Sequence, residues 1–198
     1  MYEENPGVLD FDQRAFILTT GESTSDMARA IESIADFALK LAGGEEIGPA
    51  DAEGYMPRGI RRPGLRDAPA AQRAVDLVVD AFRAGGRLIY VGAGTSGRLG
   101  VLDAAEMPPT FGSDPSMVHG IIAGGYEALV RSQEGAEDDP EDGAAAIDDR
   151  DVGSNDFVLG IATSGTTPFV HGALARARAR GAHTGFLLCT HPWPALVD

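Results

Sequence analysis

Two kinds of hydrophobic pattern divide the chain. Near its start, Met27, Ile31, Ile34, Phe37 and Leu41 recur at helical spacing in TSDMARAIESIADFALKLAGG. This predicts an amphipathic helix capped by Ser25 and ended by Gly43-Gly44. From Glu45 to Pro69 the period disappears into Gly, Pro and charge, as in PRGIRRPGLRDAP, which predicts a linker or irregular arm. From Ala70 onward short apolar runs alternate with helical patterns. PAAQRAVDLVVDAFRAGG reads as a helix closed by Gly85-Gly86, and RLIYV as a buried strand. A helix follows from about Gly97 to Ala105, with Pro108-Pro109 expected to stop it. MVHGII is a second strand. Helices are expected around YEALVRSQEGAED and EDGAAAIDD, and DFVLGIA is a third strand. FVHGALARARARG is a helix ended by Gly181, and TGFLLCT is a fourth strand.

Short apolar strands alternating with helices predict an α/β fold, a parallel sheet covered on both faces. The pattern divides the chain into a helical arm with linker, residues 1–67, and a sheet domain, residues 68–198. The chain ends soon after the fourth strand with no covering helix, so the domain is expected to be incomplete at its C-terminus. No internal repeat or low-complexity tract interrupts it.

Composition narrows the chemistry. The 198 residues are 43% hydrophobic, enough for one core of ordinary size. The formal charge is −14, and a surface this acidic repels polyphosphate, which argues against nucleic acid as a partner. An anionic ligand must then be held by local donors against the global field. Cys189 is the single cysteine, so no intramolecular disulfide or cysteine cluster forms, and a reducing cytoplasm is the expected compartment. The start, MYEENPGVLDFDQ, lacks the features of a signal peptide. No apolar run reaches the ~18 residues needed to span a bilayer.

The sharpest motif is Gly92-Ala-Gly94-Thr-Ser-Gly97, a G-x-G-x-x-G between a strand and a helix. A dinucleotide site further requires an acidic residue at the end of the next strand, for the ribose hydroxyls. That strand ends in Ala123-Gly124-Gly125, so the dinucleotide reading is only half met. A second loop, IATSGTTP, follows the third strand and carries Thr163, Ser164, Thr166 and Thr167 around Gly165. In a parallel sheet both loops leave the carboxyl ends of strands. Each loop alone is an ordinary turn with a hydroxyl cap. Together, hydroxyls, backbone N–H groups and two helix N-termini form a neutral cage suited to a phosphomonoester on a sugar.

The blocks GGRLIYVGAGTSGRLGVLDAAEMPPTFG, IIAGG, EGAEDD and GIATSGTTPFVHGAL resemble the N-acetylmuramic acid 6-phosphate etherase family, within the sugar isomerase (SIS) fold. The resemblance covers roughly Ala70 to Thr190. It implies a three-layer αβα sandwich related to the glucokinase regulatory proteins. It also implies cleavage of the lactyl ether of N-acetylmuramic acid 6-phosphate to N-acetylglucosamine 6-phosphate and D-lactate, in recycling of cell-wall amino sugars, with no metal and no organic cofactor. By matching of motifs, the catalytic glutamate falls on Glu106. A second falls on Glu137, with Glu134 its near alternative. Thr95, Ser96, Gly97, Ser164, Gly165 and Thr167 fall on the phosphate ligands. In the open-chain sugar the aldehyde acidifies the C2 proton. A carboxylate removes it, a carboxylic acid protonates the departing lactyl oxygen at C3, and water adds to the alkene. Such chemistry needs a carboxyl poised between acid and base by burial or a neighbouring charge.

Several residues keep plainer expectations. Asp103 reads as a solvated helix residue, and EGAEDDPED as a solvated acidic loop. His119 and His171 read as structural, and Arg98 either caps a loop or approaches the phosphate. A straight helix puts Glu106 ~13 Å beyond Gly97. Either the helix is brief and the chain turns back, or Glu106 serves a neighbouring subunit. SIS proteins are commonly dimers, so a homodimer with shared sites is expected. The chain departs from the family at Thr166, where arginine is common, at CTHPWPALVD, and in its N-terminal arm. Two other functions share the fold: a sugar-phosphate sensor that regulates a partner protein, and an aldose–ketose isomerase. A glutamate pair favours the etherase over the sensor, and the DAAEMPPTFG block favours it over the isomerase.

Overall fold

The computed structural model of the chain describes residues 15–19, 31, 34–35, 38, 42–43 and 68–189. Its elements in chain order are β1 (Ala15–Thr19), α1 (Ala68–Arg83), β2 (Leu88–Gly92), α2 (Gly94–Phe111), β3 (Val118–Ile122) and α3 (Glu127–Val130). A 3-10 turn (Ala136–Asp138), α4 (Pro140–Asp149), β4 (Phe157–Ile161), α5 (Pro168–Ala179) and β5 (His183–Leu188) follow. The five strands form one sheet in the order β1-β5-β4-β2-β3, and every pair is parallel.

Successive residues of a strand face opposite sides, so each strand feeds two cores. Leu88, Tyr90, Phe157, Leu159, Ile161 and Leu187 join Val78 and Phe82 of α1 and Met107 of α2 on one side. Ile89, Val91, Val158, Phe186 and Leu188 join Ile147 of α4 and Phe169, Val170 and Leu174 of α5 on the other. This is the expected three-layer α/β sandwich, and it explains the unbroken apolar runs of β2 and β4, whose residues are all buried.

The structure differs from the sequence reading in three places. Ala15–Thr19, inside the stretch read as a helical arm, is an edge strand on β5, with Ala15 opposite Thr184 and Thr19 opposite Leu188. The sheet therefore has five strands rather than four, and a short apolar run such as AFILT declares itself a strand only through its partner. Nearby, Ile31, Ile34, Ala35 and Ala38 are helical and buried in the first core, in keeping with the expected amphipathic helix. Its Ser25 cap, the linker up to residue 67 and the segment from residue 190 lie outside the described residues. The second difference is the length of α2, which runs through Pro108 and Pro109 instead of stopping before them. The two prolines remove donors only in the last turn. That turn then closes by a bond from the Gly112 N–H to the Pro108 carbonyl at 2.9 Å, with Gly112 left-handed at φ 67. Third, the helix expected over YEALVRSQEGAED is a single turn, α3. Arg131 leaves it extended at φ −141, and Gly135 at φ 76 precedes the 3-10 turn.

Helix α2 lies almost directly on β2 and β3. A Cβ on Gly97 would sit 2.6 Å from Ile122 Cγ1 and 2.7 Å from the Gly92 carbonyl oxygen. A Cβ on Gly100 would sit 2.6 Å from Tyr90 Cβ. At the opposite end of the sheet an ion pair joins β2 to the segment before β4. Arg87 donates from its backbone N (2.9 Å) and Nε (3.0 Å) to Asp156 Oδ1, and from Nη2 to Oδ2 at 2.7 Å. The Gly153 N–H donates to the same carboxylate at 2.8 Å. Arg87 also donates from Nη1 to the Arg150 carbonyl and from Nη2 to the Asp151 carbonyl. Burial by itself would raise the Asp156 carboxyl, but the Arg87 guanidinium and the Gly153 and Arg87 N–H groups outweigh it. The carboxyl is held below its ordinary value.

Two stability measurements follow. Gly97→Ala is expected to cost about 1–3 kcal/mol in urea unfolding, as an overpacked helix–strand contact; an unchanged midpoint contradicts the contact. Arg87→Ala is expected to cost about 2–3 kcal/mol at neutral pH, because it strips charged hydrogen bonds from a buried carboxylate. The Asp156 contribution is fully present above the unfolded carboxyl pKa of about 3.9 and is lost as pH falls through the lower folded value. The gap between parent and Arg87→Ala should therefore narrow in acid, and a gap independent of pH contradicts this account.

Candidate functional site

Strand β2 is followed by α2, which returns the chain to β3 on one side. Strand β4 is followed by α5, which leads to β5 on the other side. β2 and β4 are themselves neighbours, with Gly92 opposite Ile161. The loops that leave their carboxyl ends therefore diverge toward opposite faces of the sheet. Such a switch point is where open parallel sheets form a ligand crevice. It holds Thr95, Ser96 and Gly97 on one lip and Ser164, Gly165 and Thr167 on the other.

The first lip is the N-terminus of α2. Gly97 is buried against Gly92 and Ile122, which brings the first turn down onto the sheet edge, while Thr95 is exposed. The N-cap residue, Ala93, has no side chain that could cap this terminus. Its N–H groups and the helix dipole present positive potential at the crevice.

The second lip is a tight hydroxyl turn ahead of α5, whose N-cap is Thr167. Ser164 Oγ and Thr166 Oγ1 lie 2.8 Å apart, and the Thr166 N–H donates to Ser164 Oγ at 3.3 Å. Gly165 is buried in the left-handed region at φ 76 and rests on Leu188. Its carbonyl accepts a hydrogen bond from His171 Nε2 at 2.7 Å. The His171 ring also meets Phe186 edge-on, with centroids 5.3 Å apart.

The expected carboxylates are placed differently from each other. Glu137 is on the 3-10 turn, whose Ala136 packs on the core that also carries Phe169 and Val170 of α5 and is flanked by Ala93. Glu137 itself is exposed. Glu134 is in the exposed loop just before it. Glu106 is on the exposed side of α2, and the helix is continuous from Gly94 past it, so the chain does not turn back. At 1.5 Å per residue Glu106 stands about 18 Å along the axis from Gly94. A single chain does not bring Glu106 and the phosphate loops together. Both glutamates are exposed, so among the described residues neither has the burial expected of the acid–base group.

Three further residues gain roles that the sequence did not announce. Asp103, read as solvated, is buried and accepts a hydrogen bond from the Tyr90 hydroxyl at 2.8 Å. Burial and then the Asp103 carboxylate push the Tyr90 phenol well above its ordinary value, so it remains a donor. This bond ties α2 to β2 one turn before Glu106. Arg98, left with two roles, donates from Nε to the Leu129 carbonyl at 3.2 Å and so holds α3 against the first turns of α2. His171 has the two partners described above, and its spacing from Gly165, six residues across a helix start, gave no period to read. His119 keeps a local role, donating from Nε2 to the Ser116 carbonyl at 2.9 Å. Among the described residues no group of three His, Cys, Asp or Glu side chains could hold a metal ion. Among them, too, no helix is long and apolar enough to cross a membrane.

The chain matches known proteins over this same region. The family profile of the glucokinase regulatory protein N-terminal SIS domain matches residues 71–178. A second profile, that of the glycine/sarcosine/betaine reductase selenoprotein B, matches residues 1–85. That segment is less than half the chain and holds no cysteine. The N-acetylmuramic acid 6-phosphate etherase of Gloeobacter violaceus is 62% identical over 128 residues, which are 64% of this chain and 42% of the relative. The etherase of Synechococcus elongatus is 67% identical over 105 residues, 53% of this chain and 34% of the relative. That of Salinibacter ruber is 65% identical over 113 residues, 57% and 36% respectively. The chain thus spans well under half the length of these relatives. With a profile that covers more than half of its residues and a sheet of matching architecture, the chain belongs to the SIS-domain family of the glucokinase regulatory protein N-terminal domain, and its curated relatives are named N-acetylmuramic acid 6-phosphate etherases.

Proposed function

We propose that the crevice between the β2 and β4 loops binds the phosphate of N-acetylmuramic acid 6-phosphate, and that the chain is the phosphate-binding part of an etherase acting in cytoplasmic recycling of cell-wall sugars. The observation that carries this reading is the pairing of two helix-opening turns, rich in N–H and hydroxyl donors, at one switch point, within the segment that the SIS-domain profile matches. Thr95, Ser96 and Gly97 bind the anion from one lip, and Ser164, Gly165 and Thr167 from the other. The net charge of −14 makes neutral, preorganised donors the means by which the phosphate is held. The neutral cage also suits a phosphomonoester better than a dinucleotide.

The chemistry falls to Glu106 and Glu137. One carboxylate takes the C2 proton of the open-chain sugar while the C3–oxygen bond breaks. D-lactate leaves with a proton on its former ether oxygen. Water then adds across C2 and C3, its hydroxyl at C3 and a proton at C2, to give N-acetylglucosamine 6-phosphate. No metal or organic cofactor enters this scheme. Glu106 acts as the main acid–base group and Glu137 as its helper.

Because Glu106 stands far along α2 from its own crevice, we assign it to the crevice of a second copy of the chain. Leu102, one helical turn before Glu106 on the same side of α2, is 58% exposed. Tyr126 and Val130, on and just before the adjoining α3, are 78% and 69% exposed. A surface that covers these apolar side chains also covers Glu106 and supplies the desolvation its role requires.

The test is release of D-lactate from N-acetylmuramic acid 6-phosphate by the protein that carries this domain. Glu106→Gln is expected to lower turnover about 100-fold or more, the usual worth of a general acid–base group; undiminished turnover removes Glu106 from the mechanism. Mixing Glu106→Gln with Ser164→Ala is expected to restore part of the activity, since mixed dimers then carry one intact site. No restoration contradicts the shared site. Thermal stabilisation by sugar phosphates without any lactate release supports the sensor instead.

A further inference from the structure

We propose that His171 is a positioning residue for the anion, locking the Gly165–Thr166 peptide so that its N–H, rather than its carbonyl, faces the crevice. The inference rests on the phosphate-binding reading above and deepens it.

In a trans peptide the C=O and the N–H point in opposite directions. His171 Nε2 lies 2.7 Å from the Gly165 oxygen, and a carbonyl oxygen only accepts, so Nε2 carries the hydrogen. With the carbonyl drawn toward α5, the Thr166 N–H of the same peptide is turned the other way. There it meets Ser164 Oγ at 3.3 Å, beside the Thr166 hydroxyl, on the exposed rim of the lip.

This peptide has a natural alternative. Gly165 at φ 76 has no Cβ to bias the rotation about its two bonds, so a half-turn of the 165–166 plane is sterically open on the glycine side. The turned plane would aim the carbonyl oxygen into the crevice and present a partial negative charge to the phosphate. Within the ATSGTTP loop the bond from the Thr166 N–H to Ser164 Oγ, at 3.3 Å, is a weak restraint on that turn. His171 opposes it from outside the loop, and its ring is held in place by its edge contact with Phe186 of β5 at 5.3 Å. Its position on the first turns of α5, with its own N–H bonded to the Thr167 carbonyl at 3.2 Å, makes it part of a rigid element rather than of the loop. The residue thus acts on the anion through Gly165 and touches no substrate atom itself.

The test compares the parent with His171→Phe, which keeps an aromatic ring and loses the donor, and His171→Gln, whose side-chain amide can donate from a similar reach. Inorganic phosphate and N-acetylglucosamine 6-phosphate are the probes, titrated by calorimetry and by the backbone amide spectrum of the full chain. In the parent, the Thr166 amide is expected to shift on phosphate binding. His171→Phe is expected to weaken phosphate roughly tenfold, the loss of one hydrogen bond to a charged group, and His171→Gln to recover most of it. Without ligand, the Thr166 amide resonance is expected to differ between the parent and His171→Phe and to return in His171→Gln, since it reports the peptide orientation directly. Equal affinity and an equal Thr166 amide in the parent and His171→Phe overturn the lock while leaving phosphate binding intact. A parent that binds neither probe overturns the phosphate reading and the lock together. Weakening that His171→Gln does not rescue marks a packing role and overturns the lock alone.

Discussion

The structure depends on how closely α2 approaches β2 and β3. At Gly97, Gly100 and Gly120 a Cβ would collide with Gly92, Tyr90 and Val101, respectively. Their bare backbones let the helix settle onto the sheet with no intervening layer of side chains. Two consequences follow. The N-terminus of α2 is brought level with the carboxyl edge of β2, where Gly97 lies against Gly92. The Tyr90 hydroxyl also comes within reach of Asp103, a polar bond inside an apolar core that fixes the helix in position. Larger residues at these positions would lift the helix and dissolve the first lip of the site.

The two ends of the sheet divide stability from function. At the amino end, Arg87 and Asp156 join β2 to the approach of β4 through several hydrogen bonds, with neighbouring carbonyls absorbing the remaining guanidinium donors. A charge pair this fully satisfied resists the desolvation penalty that makes most buried ion pairs poor stabilisers. At the carboxyl end of the same two strands the backbone donors are kept for a ligand. Holding β2 and β4 together at one end keeps the two lips adjacent at the other.

The candidate site is unevenly complete. The two turns of the proposed anion cage belong to one chain and are fixed by packing beneath them: Ile122 under Gly97, and Leu188 and His171 under Gly165. The carboxylates are not gathered in the same way. Glu137 is on the 3-10 turn ahead of α4, whereas Glu106 is carried off along a rigid helix together with the exposed Leu102. Binding an anion asks only for donors at one edge of a sheet. Acid–base chemistry also asks for burial, which the described residues do not give to either glutamate.

The strands β2 to β5 and the helices α1, α4 and α5 are legible in the sequence, because an apolar run or a helical period is a local property of the residues that form them. So are the two hydroxyl loops, whose glycines and threonines mark turns wherever they fall. Other features depended on distant partners. AFILT became a strand because β5 offered an open edge. Pro108 and Pro109 stayed helical because they fall in the last turn before Gly112. Asp103 lost its solvent because Tyr90 lies beneath it, and His171 found Gly165 because the turn folds back over α5. The sequence by itself determined that four apolar runs would be strands and where the two hydroxyl loops lie. Only the tertiary structure decided that a fifth strand joins the sheet, that the two loops leave neighbouring strands and that Glu106 is carried along α2 away from them, because strand order and helix direction are set by packing between segments far apart in the chain.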